Sequence, residues 1–234
     1  MADVIFKPGF PGDLAVRPAH ALQLDMWVTE RNFIDIWLPE GVLSDDNETE
    51  WFLLREFTDL RWQYDADGGW RSCFEKPGHC SVLATATSRD DGVDLRLQVT
   101  NLSDRVWPRT RAPVCVQLAA APDFRDPALE RTCFVAGGSP KAFRADQVER
   151  VYPGGCHFYG NMAGPLPTGD VSEIRVASRC GRWHLAHGFE TADGVGGNCH
   201  ESICCIHANP LLGELQPGQC GEATGWIRLR REPG

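Results

Sequence analysis

The sequence predicts an all-β chain folded as an antiparallel two-layer β-sandwich, with a few short helices and long loops. Three observations carry this: apolar residues alternate at every second position, the alternation recurs from end to end, and glycine and proline separate the runs. Many strands, few helical stretches and turn-rich connections are the pattern of two packed antiparallel sheets.

The first hairpin is read from two runs. Leu22, Leu24, Met26 and Val28 alternate with Gln23, Asp25 and Trp27, predicting a strand over 22–28. Ile34, Ile36 and Leu38 alternate with Phe33, Asp35 and Trp37, predicting its partner over 33–38. Strands follow at 60–64 and 80–87, and then the clearest one at 93–100. There Val93, Leu95, Leu97 and Val99 share a face, Gly92 opens the strand and Asn101-Leu102-Ser103-Asp104 closes it. Further strands read at 114–118, 173–178, 183–189, 203–207 and 224–230. Helical periodicity is confined to 123–131 and 145–150, with 47–57 readable either way. Two long loops, 152–170 and 191–202, are rich in glycine, and loops of this length commonly carry function.

At 234 residues, with 42% hydrophobic and 24% charged residues, the chain suits one β-sandwich domain spanning 1–234. The formal net charge of −9 argues against nucleic acid as a partner, because phosphate binding needs a basic surface. No apolar stretch is long enough to span a bilayer, so no membrane partner is expected. The start, MADVIFKPGF, has no basic region followed by an apolar one, and the expected location is cytoplasmic, or secreted if a leader has been removed. No signal sets the oligomeric state.

Ten cysteines are present, none in a Cys-x-x-Cys pair or a zinc-finger spacing. In a reducing compartment they read as small buried hydrophobes, as Cys115 and Cys205 within apolar strands suggest. In an exported protein the even number would instead suggest disulfides.

Three segments carry a resemblance: VDLRLQVTNLSDRVWP at 93–108, APVCVQLAAAPDF at 112–124 and CIHANPLLGELQPGQCGEATGWIRL at 205–229. They resemble uncharacterised bacterial β-sandwich proteins similar to the galactose-mutarotase-like supersandwich group, whose members mostly bind or transform sugars. The resemblance covers roughly the last two thirds of the chain. It implies a supersandwich-like fold and a sugar or glycan partner. The mutarotase enzymes use a His and a Glu as acid and base, and no residue of this sequence is matched to either.

The candidate site residues come from the chain itself. A three-residue connection Glu30-Arg31-Asn32 would set Trp27 opposite Asp35 and Asp25 opposite Trp37. Aromatic rings beside carboxylates hold sugars, the ring covering C–H surface while the carboxylate accepts hydroxyl hydrogen bonds. The plain alternative is an aromatic face packed against a second layer.

The long loops supply His157, Tyr159, Asn161, Asn198, His200 and Glu201. His184 lies on a strand with its side chain opposed to Trp183, Leu185, His187 and Phe189. His200, Glu201, His184 and His157 are the candidate catalytic groups, since a His and a carboxylate can divide acid and base roles near neutral pH. Trp27, Trp37, Asp25, Asp35, Tyr159, Asn161 and Asn198 are the candidate substrate-binding groups. His187 and His207 share faces with apolar residues and read as core histidines.

No cofactor and no metal site are expected, a divalent ion on the His and carboxylate groups being the lesser alternative. The leading function is a carbohydrate-active enzyme: a sugar epimerase, lyase or hydrolase. The rivals are a non-catalytic glycan-binding module and a structural β-sandwich.

Overall fold

The computed structural model describes residues 5–8, 21–45, 50–52, 62–64, 69–145, 148–152, 155–160, 171–199 and 204–232. The described residues form strands and no α-helix: β1 (Ile5–Pro8), β2 (Leu22–Trp27), β3 (Arg31–Trp37), β4 (Gly41–Leu43), β5 (Glu50–Phe52), β6 (Gln63–Tyr64), β7 (Gly69–Lys76), β8 (Cys80–Arg89), β9 (Gly92–Asn101) and β10 (Trp107–Arg111). The second half adds β11 (Val114–Gln117), β12 (Thr132–Ala136), β13 (Ser139–Ala142), β14 (Val148–Tyr152), β15 (Gly155–Gly160), β16 (Val171–Ala177), β17 (Trp183–Phe189), β18 (Ala192–Cys199), β19 (Cys204–Leu215) and β20 (Cys220–Arg231).

Two antiparallel sheets result. The larger, of eleven strands, runs β1-β2-β3-β11-β19-β10-β4-β5, with β18, β15 and β14 extending it from β19. The smaller, of nine strands, runs β13-β12-β16-β17-β20-β9-β8-β7-β6. The sheets meet face to face, β16 against β18 and β17 against β19, around one continuous apolar core. The alternation over 93–99 behaves as expected: Val93, Leu95, Leu97 and Val99 are buried, whereas Asp94, Arg96 and Gln98 are not. Full burial of such a side chain contributes roughly 1.5–3 kcal/mol.

Three expectations are corrected. The segment 123–131 forms turns, because Asp126 accepts hydrogen bonds from Glu130 N at 3.3 Å, Arg131 N at 2.7 Å and Thr132 Oγ1 at 2.7 Å. Side-chain bonds of this kind compete with the helical pattern. In the segment 145–150, residues 148–150 open strand β14 in place of the expected helix. The glycine-rich 191–202 is mostly strand β18, hydrogen-bonded on both sides, to β15 and β19. Its glycines serve close packing: a Cβ on Gly197 would lie 2.0 Å from Cys205 O and 2.7 Å from Phe158 Cζ. No disulfide joins any of the ten cysteines. Among the described residues no helix is long and apolar enough to cross a membrane.

His187 is a core residue, as its face predicts. Its Nδ1 lies 3.1 Å from Trp226 O in its own sheet and its Nε2 lies 3.3 Å from Val114 O in the other. Both partners are acceptors, so the neutral ring donates to one of them at a time. Burial outweighs the two carbonyls and pushes the imidazole down to about 4. His187 is therefore neutral when folded. Its contribution is complete above the unfolded value of about 6.5 and is lost as pH falls towards about 4, a span of about 3 kcal/mol. In denaturant titrations, the stability of the native chain relative to His187→Gln should fall across that window. A difference that stays constant with pH contradicts the assignment.

Candidate functional site

The first hairpin turns at Val28-Thr29-Glu30, one buried carboxylate gathering its donors. Asp123 Oδ2 accepts Thr29 N at 3.0 Å, Glu30 N at 3.0 Å and Asn32 Nδ2 at 2.9 Å, and Thr29 Oγ1 donates to Oδ1. Asn32 Oδ1 in return accepts Asp123 N at 3.0 Å. Burial raises the Asp123 carboxyl, but these donors outweigh it and hold the acid below its ordinary range.

This tether corrects the expected register. Trp27 lies opposite Arg31, Asp25 opposite Phe33 and Gln23 opposite Asp35. Asp25 is buried and held by the Arg31 guanidinium, Nε to Oδ1 at 3.0 Å and Nη2 to Oδ2 at 2.5 Å. Trp27 stands 62% exposed near the hairpin tip, whereas Trp37 lies opposite Cys115 in the middle of the sheet. The expected Trp27–Asp35 and Asp25–Trp37 pairs are not made.

Across the larger sheet the register brings polar residues into rows. One row crosses six strands: Gln23, Asp35, Gln117, Cys205, Asn198 and His157. The row one pleat away reads Trp37, Cys115, His207 and Gly196. Between them lies Leu22, Ile36, Val116, Ile206, Gly197 and Phe158, which points into the core. Directly paired residues share a face, so both polar rows lie on the outer face of the sheet.

The two rows converge on a cluster. Cys205 Sγ lies 3.2 Å from His207 Nε2, and Asn198 Nδ2 donates to the same sulfur at 3.3 Å. Gln117 Nε2 donates to Cys115 Sγ at 3.6 Å, and Glu40 Oε2 lies 3.8 Å from His207 Nε2. Cys115, Cys205 and His207 present ligand atoms within 4.8 Å of one another.

The charges of the cluster are interlocked. The Cys115 hydrogen bond, helped by His207 and Asn198, outweighs burial and holds Cys205 well below its ordinary value. Burial and the neighbouring Cys205 sulfur hold Cys115 well above its ordinary value. Burial lowers His207, but Cys205 and Glu40 outweigh it and raise the ring to about 9. Burial raises the Glu40 carboxyl against the pull of His207.

The expected site residues divide accordingly. The two glycine-rich segments do meet, as paired strands with His157 opposite Asn198, and Trp37 and Asp35 share their face. Tyr159 pairs by its backbone with Gly196. Asn161, His200 and Glu201 lie outside the described residues. His184 does not join the others. It sits in β17 of the smaller sheet, with its Nδ1 2.8 Å from Glu232 Oε1. Alternation points it away from His187, to the outer face of the smaller sheet, where it is nonetheless buried.

Sequence reasoning missed Cys115, Gln117, Cys205, His207 and Glu40 as a group. The signal was present in the two-residue spacing of Cys205 and His207. A separate groove of about 520 Å³ on the outer face of the smaller sheet is lined by Asp94, Arg96, Trp226 and Arg228, among others. It holds none of the expected site residues, and ion pairs such as Arg228–Asp94 and Arg96–Glu222 cross that face.

No family model and no curated protein matches the sequence. Solved structures are similar in fold. A putative aldose 1-epimerase from Escherichia coli K12 matches with a TM-score of 0.56 at 9% identity, over 91% of this chain and 96% of that one. A galactose mutarotase related enzyme from Lactobacillus acidophilus matches with a TM-score of 0.53 at 9% identity, over 98% and 97%. A galactose mutarotase-like protein from Lactobacillus casei gives 0.52 at 10% identity, over 97% and 100%. At these identities the likeness is one of fold, and the resemblance read from the three segments holds at that level.

The Asp123 tether is testable alone. Asp123→Ala strands several donors of the turn and should cost about 2–4 kcal/mol by urea denaturation, with Asp123→Asn losing less. A loss below about 0.5 kcal/mol would mean that the turn holds its register without the carboxylate.

Proposed function

We propose that this chain is a carbohydrate-active enzyme that binds a small sugar on the outer face of the larger sheet and moves protons on it with His207 and Glu40. The observation that carries the reading is the pair of polar rows meeting at the cluster, in a fold shared with proteins named as an aldose 1-epimerase and as galactose mutarotase relatives. Trp37 supplies an aromatic surface, while Gln117, Asn198 and His157 supply donors and acceptors suited to hydroxyl groups.

Anomeric epimerisation is the reaction class that this arrangement suits. Glu40 takes the proton from the anomeric hydroxyl as His207 gives one to the ring oxygen. The bond between the anomeric carbon and the ring oxygen breaks, and the carbonyl forms. Rotation about the next carbon–carbon bond and reversal of both proton transfers then give the other anomer. The two oxygens share one carbon, so an acid and a base whose atoms lie 3.8 Å apart can reach both.

Exchange NMR on a panel of aldoses tests this. The native chain should accelerate anomer interconversion, and His207→Gln and Glu40→Gln should each reduce the acceleration on the order of 100-fold or more. Trp27→Ala, at the remote hairpin tip, should leave it unchanged. No acceleration for any aldose, or a full rate in His207→Gln, overturns the proposal.

A further inference from the structure

We propose that Cys115, Cys205 and His207 form a binding site for a soft divalent cation of the zinc type, with Glu40 closing the fourth position. The donor set is two sulfurs, one imidazole nitrogen and one carboxylate oxygen, the combination that zinc prefers. Its spacing fits as well. Bonds of about 2.3 Å to sulfur and about 2.0 Å to nitrogen in a tetrahedron put donor atoms roughly 3.5–3.8 Å apart. Here the Cys205 Sγ to His207 Nε2 distance is 3.2 Å, the His207 Nε2 to Glu40 Oε2 distance is 3.8 Å, and the three Cys and His ligand atoms lie within 4.8 Å of one another. Side-chain shifts of about 1 Å, the largest by Glu40 towards the sulfurs, complete the cage.

The ligands are carried by a stiff frame. Cys115 sits on β11, and Cys205 and His207 on β19, which is paired on both sides at those residues. Glu40 is fixed beside them because its N–H donates to Pro113 O at 2.7 Å, two residues before Cys115. Cys115 and Cys205 are buried, so the ligand sulfurs are shielded from bulk water. Asn198 and Gln117 donate N–H groups to the two sulfurs, the outer-shell support that thiolate ligands of metals commonly receive. The cysteines lie ninety residues apart in sequence, so no local motif marks them and only the strand register assembles the site.

One consequence rests on the acid–base reading above. A cation there takes the imidazole nitrogen and the carboxylate which that reading uses, so metal binding and proton transfer exclude each other. The cation then acts as an inhibitor of the same site.

Cobalt(II) titration of the full chain, stripped by chelator and kept reduced, tests the site. One equivalent should bind, with the near-ultraviolet thiolate-to-cobalt band and the intense visible bands of a tetrahedral complex, and zinc should displace it. Cys205→Ser and His207→Gln should each weaken binding on the order of 100-fold or more, and Asn198→Ala on the order of 10-fold. His207 is only half-buried, so its variant keeps the test valid if the cysteine variant does not fold. Cys73→Ser, at an exposed cysteine, should bind as the native chain does. No charge-transfer band, or binding unchanged in His207→Gln, overturns the proposal. The sugar reading is judged separately: cobalt binding without anomer exchange sinks that reading and leaves the metal site standing. Exchange that zinc slows and chelator restores supports both.

Discussion

Burial of one face of β19 between the two sheets is the constraint on which the site depends. Ile206 and Ala208 point inwards, Ile206 in a row with Val116, Ile36 and Leu22 on one side and Gly197 and Phe158 on the other, and Ala208 between Val114 and Val195. The side-chain period of a strand is two, so a slip by one residue would turn this whole apolar row out to water. At roughly 1.5–3 kcal/mol for each large side chain, that slip is forbidden. Cys205 and His207 are therefore obliged to face outwards, and Cys115 and Trp37 with them. The core sets the site.

The same arrangement makes the outer face rigid. β19 is flanked by β11 and β18, and both rows of interest cross strands whose backbone groups are paired on either side. A polar cluster on such a platform holds its geometry without the entropy cost that a loop would incur. The cluster in turn couples titratable groups: the Cys205 sulfur, the His207 imidazole and the Glu40 carboxyl lie within a few ångströms, each altering the proton affinity of the others. The outer face of the smaller sheet differs in kind. Its Arg96–Glu222 and Arg89–Asp94 pairs are solvent-exposed, and ion pairs of that type contribute little to stability.

Much of this was legible in the sequence, and the failures have physical causes. Alternation identified the inward faces of β2, β3 and β9 correctly because each carries an unbroken aliphatic row. It did not place the first turn, because the residue that sets that turn, Asp123, lies 91 residues beyond Asn32 in the chain. The run Gly194-Val195-Gly196-Gly197 reads as a loop because glycine usually marks turns. Here a Cβ at Gly197 would collide with the neighbouring strand, so glycine is what permits the pairing. His207 and Cys205 were assigned the same face correctly, but it was taken for the inner one, since cysteine scores as a hydrophobe. Cys204 and Ile206 are the residues of this stretch that join the apolar core cluster. The convergence of Glu40 and Cys115 on that pair is a product of sheet order, which no local pattern encodes.

Which face of the sandwich meets a sugar is the question that most directly tests this account. Amide and histidine side-chain chemical shifts, recorded by nitrogen–proton correlation NMR while a panel of aldoses is added, report it residue by residue. The account predicts perturbations gathered at Gln117, Asn198, Cys205 and His207 and on the Trp37 indole. Shifts confined to Arg96, Trp226 and Arg228, in the groove of the smaller sheet, would contradict it.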